Sequence, residues 1–376
     1  MNLKGNIFIL GVIITTLFFI ACDKKKKDKK DDNEDTSFDK PAMLANYSEN
    51  IIVPNFQSFK IALDSLVNAY TVFIQTKTVA DLTVLRQKYI RATIKFQHIS
   101  TFEFGPSESE IVRSNFNTYP TNTLTINSNI NSGSYDLGTV SNLDAKGFPA
   151  LDYLLFGKNE TDASLIALFD TDAKAANRIA YANACLSEMQ TKTNSILTNW
   201  NSNYKNTFTS STGSQIGSSL GLLVNQLNFE VDLLKNAKIG IPLGKKSLGA
   251  TLPEKCEAYY ANNISVKLAK ECLLNIEDVY LGRSANGANG MGLDDYLEHL
   301  KATHGAESLN AAINNQFAIT KTKLDLVAEP LSTSVNSATS TVDAAYLEMV
   351  KLLVLLKTDM PSALGIVITY QDGDGD

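Results

Sequence analysis

Residues 54–76, PNFQSFKIALDSLVNAYTVFIQT, and residues 81–100, DLTVLRQKYIRATIKFQHIS, decide the fold. In the first stretch Phe56, Phe59, Ile61, Leu63, Leu66, Ala69, Tyr70 and Phe73 make a broad apolar stripe behind Pro54, which suits a first helical turn. The spacing predicts a helix to about Thr76. In the second, Asp81 stands where a side chain caps a helix start, and Leu82, Leu85, Tyr89, Ala92, Phe96 and Ile99 recur at three and four. The pair reads as a helical hairpin that ends at Phe102-Glu103-Phe104-Gly105-Pro106, where glycine and then proline turn the chain.

Downstream, a stretch rich in Asn, Ser and Thr runs from Ser107 to Asp144. A connection of that length without periodicity is usually functional or wraps a site, and Ile111-Val112 and Leu124-Thr125-Ile126 predict short local elements in it. Gly147-Phe148-Pro149-Ala150-Leu151-Asp152-Tyr153-Leu154-Leu155-Phe156-Gly157 reads as a short helix between glycines, with Asp152 the odd charge on an apolar element. Helical periodicity returns over about 172–204, 215–238, 253–281, 293–303, 308–330 and 334–360. The last segment is strongly apolar at Tyr346, Met349, Leu352, Leu353 and Leu356, as a central bundle helix is. Glycine-rich connections at 238–244 and 282–292 follow long helices at similar places. Alternating apolar runs are scarce. The expected fold is all-α, two four-helix-bundle-like halves (roughly 46–205 and 206–367) related by internal duplication, with a flexible tail at 368–376.

Upstream of this domain, Lys4, the apolar run from Ile7 to Ile20, and Ala21-Cys22 have the order of a secretory signal over residues 1–21. The run is too short for a transmembrane helix, which needs about 20 apolar residues. Phe19-Ile20-Ala21-Cys22 resembles the lipobox of bacterial lipoproteins, with phenylalanine where leucine is usual. Cys22 is therefore the expected lipid attachment point, and residues 22–45, beginning DKKKKDKKDDNED after the cysteine, the charged tether. The expected location is the cell envelope, at the outer membrane, on its periplasmic face or at the cell surface.

A formal charge of −6 (34 Lys and Arg against 40 Asp and Glu) argues against nucleic acid as a partner. The remaining cysteines, Cys185, Cys256 and Cys272, lack metal spacing, and a Cys256–Cys272 bridge would leave Cys185 reduced. His98, His299 and His304 form no close metal pattern, and His98 reads first as a core histidine. No G-x-S-x-G elbow, P-loop or dinucleotide fingerprint occurs. Acidic groups remain: Glu103, Asp152, Glu257 and Glu271 are candidates to face a common cleft, although any one alone reads first as a solvated surface carboxylate. Asp152 is the best of them.

Taken together, segments 102–106, 147–157 and 238–244, then Pro253-Glu254-Lys255-Cys256-Glu257-Ala258-Tyr259-Tyr260 and Asp278-Val279-Tyr280-Leu281-Gly282, resemble the imelysin family, also called peptidase family M75, and especially its lipoprotein branch. The resemblance implies two helical bundles with a site between these segments, so that Glu103, Gly105, Pro106, Gly147, Pro149, Asp152, Lys238 and Glu257 are its candidate residues. It also implies a link to iron regulation and uptake, with iron-uptake or other envelope proteins as partners. The family hallmark is Gly-x-His-x-x-Glu, proposed as a metal-binding or catalytic element. Here Gly147 stays, Pro149 replaces the histidine and Asp152 the glutamate, while Phe96 and Ser100 stand where relatives carry tryptophan and glutamate. A catalytic zinc needs about three protein ligands and an open position, and proline supplies no donor atom. Two functions stay open: a non-catalytic binding lipoprotein whose carboxylates, such as Glu103 and Asp152, hold a ligand or a cation such as iron, and a metallopeptidase. The lost histidine favours the first.

Overall fold

The computed structural model describes residues 37–370. The signal, Cys22 and the lysine-rich part of the tether lie outside the described residues. The last residues assigned to the tether are instead helical: α1 (Lys40–Asn46) is capped by Asp39 and buries Met43 and Leu44. A π-helical turn, Tyr47–Ile52, leads into α2 (Val53–Thr76), and α3 (Val79–Gln97) returns antiparallel against it as the expected hairpin.

Two details of that hairpin differ from expectation. The cap of α3 is Thr78, whose extended backbone lets its hydroxyl accept from the Asp81 N–H at 3.1 Å, while the Asp81 carboxylate accepts from the hydroxyls of Thr76 and Thr78. Ile61 is 63% exposed, because a residue two places from Phe59 lies on the far side of a helix, whereas Phe56, Phe59, Leu63, Leu66, Tyr70 and Phe73 are buried.

The polar stretch folds into short helices, α4 (Pro106–Ser109), α5 (Val112–Asn117) and α6 (Thr123–Ser132), before α7 (Gly147–Phe156). Then come α8 (Asp162–Asp170), α9 (Ala175–Asn199), a π-helical turn Trp200–Tyr204, and α10 (Lys205–Ser210). Next, α11 (Ser219–Leu233) runs into a third π-helical turn, Leu234–Gly240. The helix expected from residue 253 starts late: a 3-10 turn, Pro253–Lys255, is followed by non-helical chain with Ala258 and Asn262 at φ 52° and 62°, and only then by α12 (Ser265–Tyr280). After α13 (Leu293–His299), Thr303–His304 pairs antiparallel with Glu307–Ser308, the only strands among the described residues. The chain closes with α14 (Leu309–Asp325), α15 (Leu331–Ser337), α16 (Thr339–Val354), a π-helical turn Leu355–Asp359, and α17 (Met360–Leu364).

The fold is all-α. Contacts of α3 with α12, of α11 with both α12 and α16, and of α2 and α7 with α9 join early and late parts of the chain around one apolar core. The end of the described chain is held too: Thr369 donates from its N–H to Asn225 Oδ1 at 2.7 Å, and the Tyr370 ring meets Phe229. The Cys256–Cys272 bridge that the cysteine count left open is not formed. All three described cysteines are free and buried, and Cys272 Sγ on α12 points to Glu230 Oε1 at 3.4 Å. No helix among the described residues is long and apolar enough to cross a membrane.

Candidate functional site

A cleft of about 460 Å³ opens where the end of α3, α5 and the residues after it, and the α11 segment meet. That size lies within the usual range for small-molecule sites, about 300–1,000 Å³. Its apolar wall comes from Phe96, Pro120, Phe229, Leu233, Ala237 and Ile241, and its floor is polar.

Two hydrogen-bonded clusters build that floor. In the first, Lys238 sits in the π-helical turn after α11, only 5% exposed, and its Nζ bonds Glu257 Oε2 at 2.5 Å and Gln97 Oε1 at 2.8 Å. Glu257, 2% exposed in the non-helical chain before α12, also accepts from Gln97 Nε2 at 3.0 Å and Asn117 Nδ2 at 2.6 Å. Burial is the largest single influence and works against a charged lysine here, yet Glu257 acting together with Tyr119, Cys272 and Glu230 holds the Lys238 pKa above its ordinary value. In the second cluster, Glu230 of α11 accepts from the Ser100 hydroxyl at 2.7 Å and faces Arg113 Nη2 at 3.4 Å. The same Arg113 nitrogen donates to Ser100 O at 2.7 Å and Gln226 Oε1 at 3.1 Å, and the guanidinium lies 4.8 Å from the centre of the Phe229 ring.

Glu103 lines the cleft and accepts from the Arg113 backbone N–H at 3.1 Å. Burial pushes its pKa up to about 7, only partly opposed by the Arg113 charge and that hydrogen bond. Tyr119 lines the cleft, burial pushes its hydroxyl pKa up, and that hydroxyl makes no hydrogen bond among the described residues.

Of the residues expected at the site, the structure brings together Glu103, Lys238 and Glu257. The others are placed elsewhere. Asp152, 1% exposed, accepts from the Tyr260 and Ala261 backbone N–H groups at 2.8 Å each, so it fastens α7 to the chain before α12 and does not line the cleft. Burial raises its pKa to about 7 against the effect of both N–H donors. Gly147 has φ +63°, and a Cβ there would stand 2.3 Å from Phe116 O: it is glycine because α5 passes so close. Pro149 is buried, and its carbonyl accepts from Thr121 Oγ1 at 3.0 Å. Gly105, at φ +56°, lies against the Tyr204 ring, and Pro106 is buried at the start of α4. Glu271 pairs with His98 Nε2 at 3.1 Å, and that bond holds its carboxyl below its ordinary pKa. His304 pairs with Asp359 at 3.0 Å, while the His299 ring lies near Phe38.

Sequence reasoning missed Gln97, Arg113, Asn117, Tyr119 and Glu230. One signal was available for Glu230. It lies in a helix otherwise buried through Leu223, Val224, Leu227 and Val231, the same anomaly that singled out Asp152.

No group of three or more His, Cys, Asp and Glu side chains placed to hold a metal ion occurs among the described residues. The donor chemistry explains this. Position 149 has no ligand atom, both Asp152 oxygens hold backbone N–H groups, and Glu230 and Glu257 are engaged by cationic, amide and hydroxyl donors. The residues present do not fit the metal centre that the family hallmark implies.

The structure is thus an all-α body with a cleft that is apolar-walled and polar-floored. The family model described as Imelysin, peptidase M75, matches residues 52–356, and the chain belongs to that family. Two solved structures share the fold. A protein assigned as iron-regulated protein A precursor from Parabacteroides distasonis is 16% identical with a TM-score of 0.71, over 86% of this chain and 95% of that one. An imelysin-like protein from Psychrobacter arcticum is 18% identical with a TM-score of 0.66, over 88% and 97%. No curated protein matches the chain.

Proposed function

We propose that this chain is a non-catalytic binding protein of the cell envelope, anchored by lipid on Cys22 and acting in iron acquisition beside uptake or other envelope proteins. One observation supports the non-catalytic part: two of the three acids at the cleft, Glu257 and Glu230, are already held. Glu257 is bonded by Lys238, Gln97 and Asn117, and Glu230 by Ser100 and Arg113, so neither is free to act as a base on water or to complete a metal site. The lipobox-like end of the signal supports the anchor. Family membership and the neighbour named as iron-regulated support the iron role.

Metal analysis of the purified chain, with a peptide-cleavage assay run with and without chelator, tests the reading. The expected result is no chelator-sensitive turnover, and such turnover would establish a peptidase instead. Cys22→Ser should move the protein out of the membrane fraction. Expression that does not change on iron starvation would remove the iron role.

A further inference from the structure

The cleft can be read further by asking which of its polar groups lack a partner. The acids are largely matched within the protein, as described. The unmatched groups are donors. Arg113 engages its Nη2 three times, while its Nε is buried with no hydrogen-bond partner among the described residues. The Lys255 ammonium, at the cleft lining, has neither ion pair nor hydrogen bond among them, and the Tyr119 hydroxyl is likewise unpaired. Lys238, Arg113 and Lys255 stand against Glu230 and Glu257, which leaves one positive charge before Glu103 is considered. An acceptor-rich anion would satisfy these donors, whereas a cation would find only Glu103, which already accepts from Arg113. The wall of Phe96, Phe229, Leu233 and Ile241 asks for an apolar body.

Building on the binding role proposed above, we infer that the cleft takes a small organic acid, its single carboxylate received by Arg113, Lys255 and Tyr119 and its apolar body lying against Phe96 and Phe229. Glu103 adds a proton linkage. It faces Arg113 on α5, Glu230 on α11 and Glu108 on α4, and with its pKa near 7 it is protonated in mild acid, where it repels an anion least and can donate to it. Binding therefore tightens as pH falls from 8 to 6.

Calorimetric titration of the mature chain with phenylbutanoate, phenylbutanamide and phenylbutylamine tests the inference. The acid should bind at least about tenfold more tightly than the amide or the amine, and Lys255→Gln should weaken the acid by about tenfold while leaving the amide unchanged. Glu103→Gln should abolish the difference between pH 6 and pH 8. Equal binding of acid and amide, preference for the amine, or an unchanged Lys255→Gln variant would overturn the organic-acid assignment while leaving the cleft a binding site. If none of the three binds, the inference falls. If chelator-sensitive peptide cleavage is seen as well, the binding role falls with it.

Discussion

Two regions carry buried acids, and they use them differently. On α7, Asp152 is surrounded by apolar residues and accepts two backbone N–H groups from the chain before α12, so its carboxylate closes a gap in the architecture. Around the cleft, Glu257 and Glu230 are buried as deeply, but they meet side chains from α3 and the turn after it, α5, α12 and the π-helical turn after α11, next to open volume. A buried acid alone does not mark a site. What distinguishes the second region is convergence of charged side chains from several elements beside a cavity with unmatched donors.

That contrast can be broken by substitution. The largest effect is expected from Lys238→Met, which strands Glu257 as a buried unpaired charge and should destabilise the fold by about 3–5 kcal/mol in urea titration. Adding Glu257→Gln should recover part of the loss, because the stranded charge is then gone. A loss under about 1 kcal/mol would mean that water reaches Glu257 and that the pair is not the closed unit described here.

Asp152→Ala comes next. Two part-buried N–H groups lose their acceptor, at up to about 1–3 kcal/mol each, yet phenylbutanoate affinity should stay within about twofold. Weakened affinity with unchanged stability would move Asp152 into the site and collapse the distinction. Its titration sharpens the same point. Because the folded pKa is raised to about 7, above the ordinary aspartate value of about 4, the folded state holds the proton more tightly. The stability this supplies is complete below about pH 4 and is lost as pH rises through about 7. Urea midpoints should fall between pH 5 and pH 8, and Asp152→Asn should flatten that fall. The smallest stability effect belongs to Lys255→Gln, within about 0.5 kcal/mol, since its ammonium makes no ion pair or hydrogen bond among the described residues.

Helices with one-sided apolar spacing were legible. Leu82, Leu85, Tyr89, Ala92 and Phe96 are all buried, because a periodic stripe has one way to leave water. The segment from residue 253 was not, because its apolar content continues through Ala258 and Asn262, where left-handed backbone breaks the helix without glycine or proline to announce it. The site was half legible. Lys238 entered through a family segment, Glu257 as an acid on the helix expected from residue 253 and Glu103 through its turn, but Arg113, Asn117 and Tyr119 lie in an Asn- and Ser-rich stretch where nothing separates a wall residue from a loop residue. Asp152 was conspicuous for the right physical reason, a charge on an apolar helix, and the structure answers that anomaly with two backbone donors instead of a ligand.

The π-helical turn Leu234–Gly240 holds one residue more per turn than an α-helix would, at the place where Lys238 meets Glu257. Such a bulge works as a phase shifter. Were the turn to tighten to ordinary α spacing with all its residues kept, everything beyond it would swing by roughly 100°. Lys238 would then face away from its carboxylate, and Ile241 from the cleft wall, although neither had been changed. The cleft therefore depends on how this turn is wound as much as on which residues it carries.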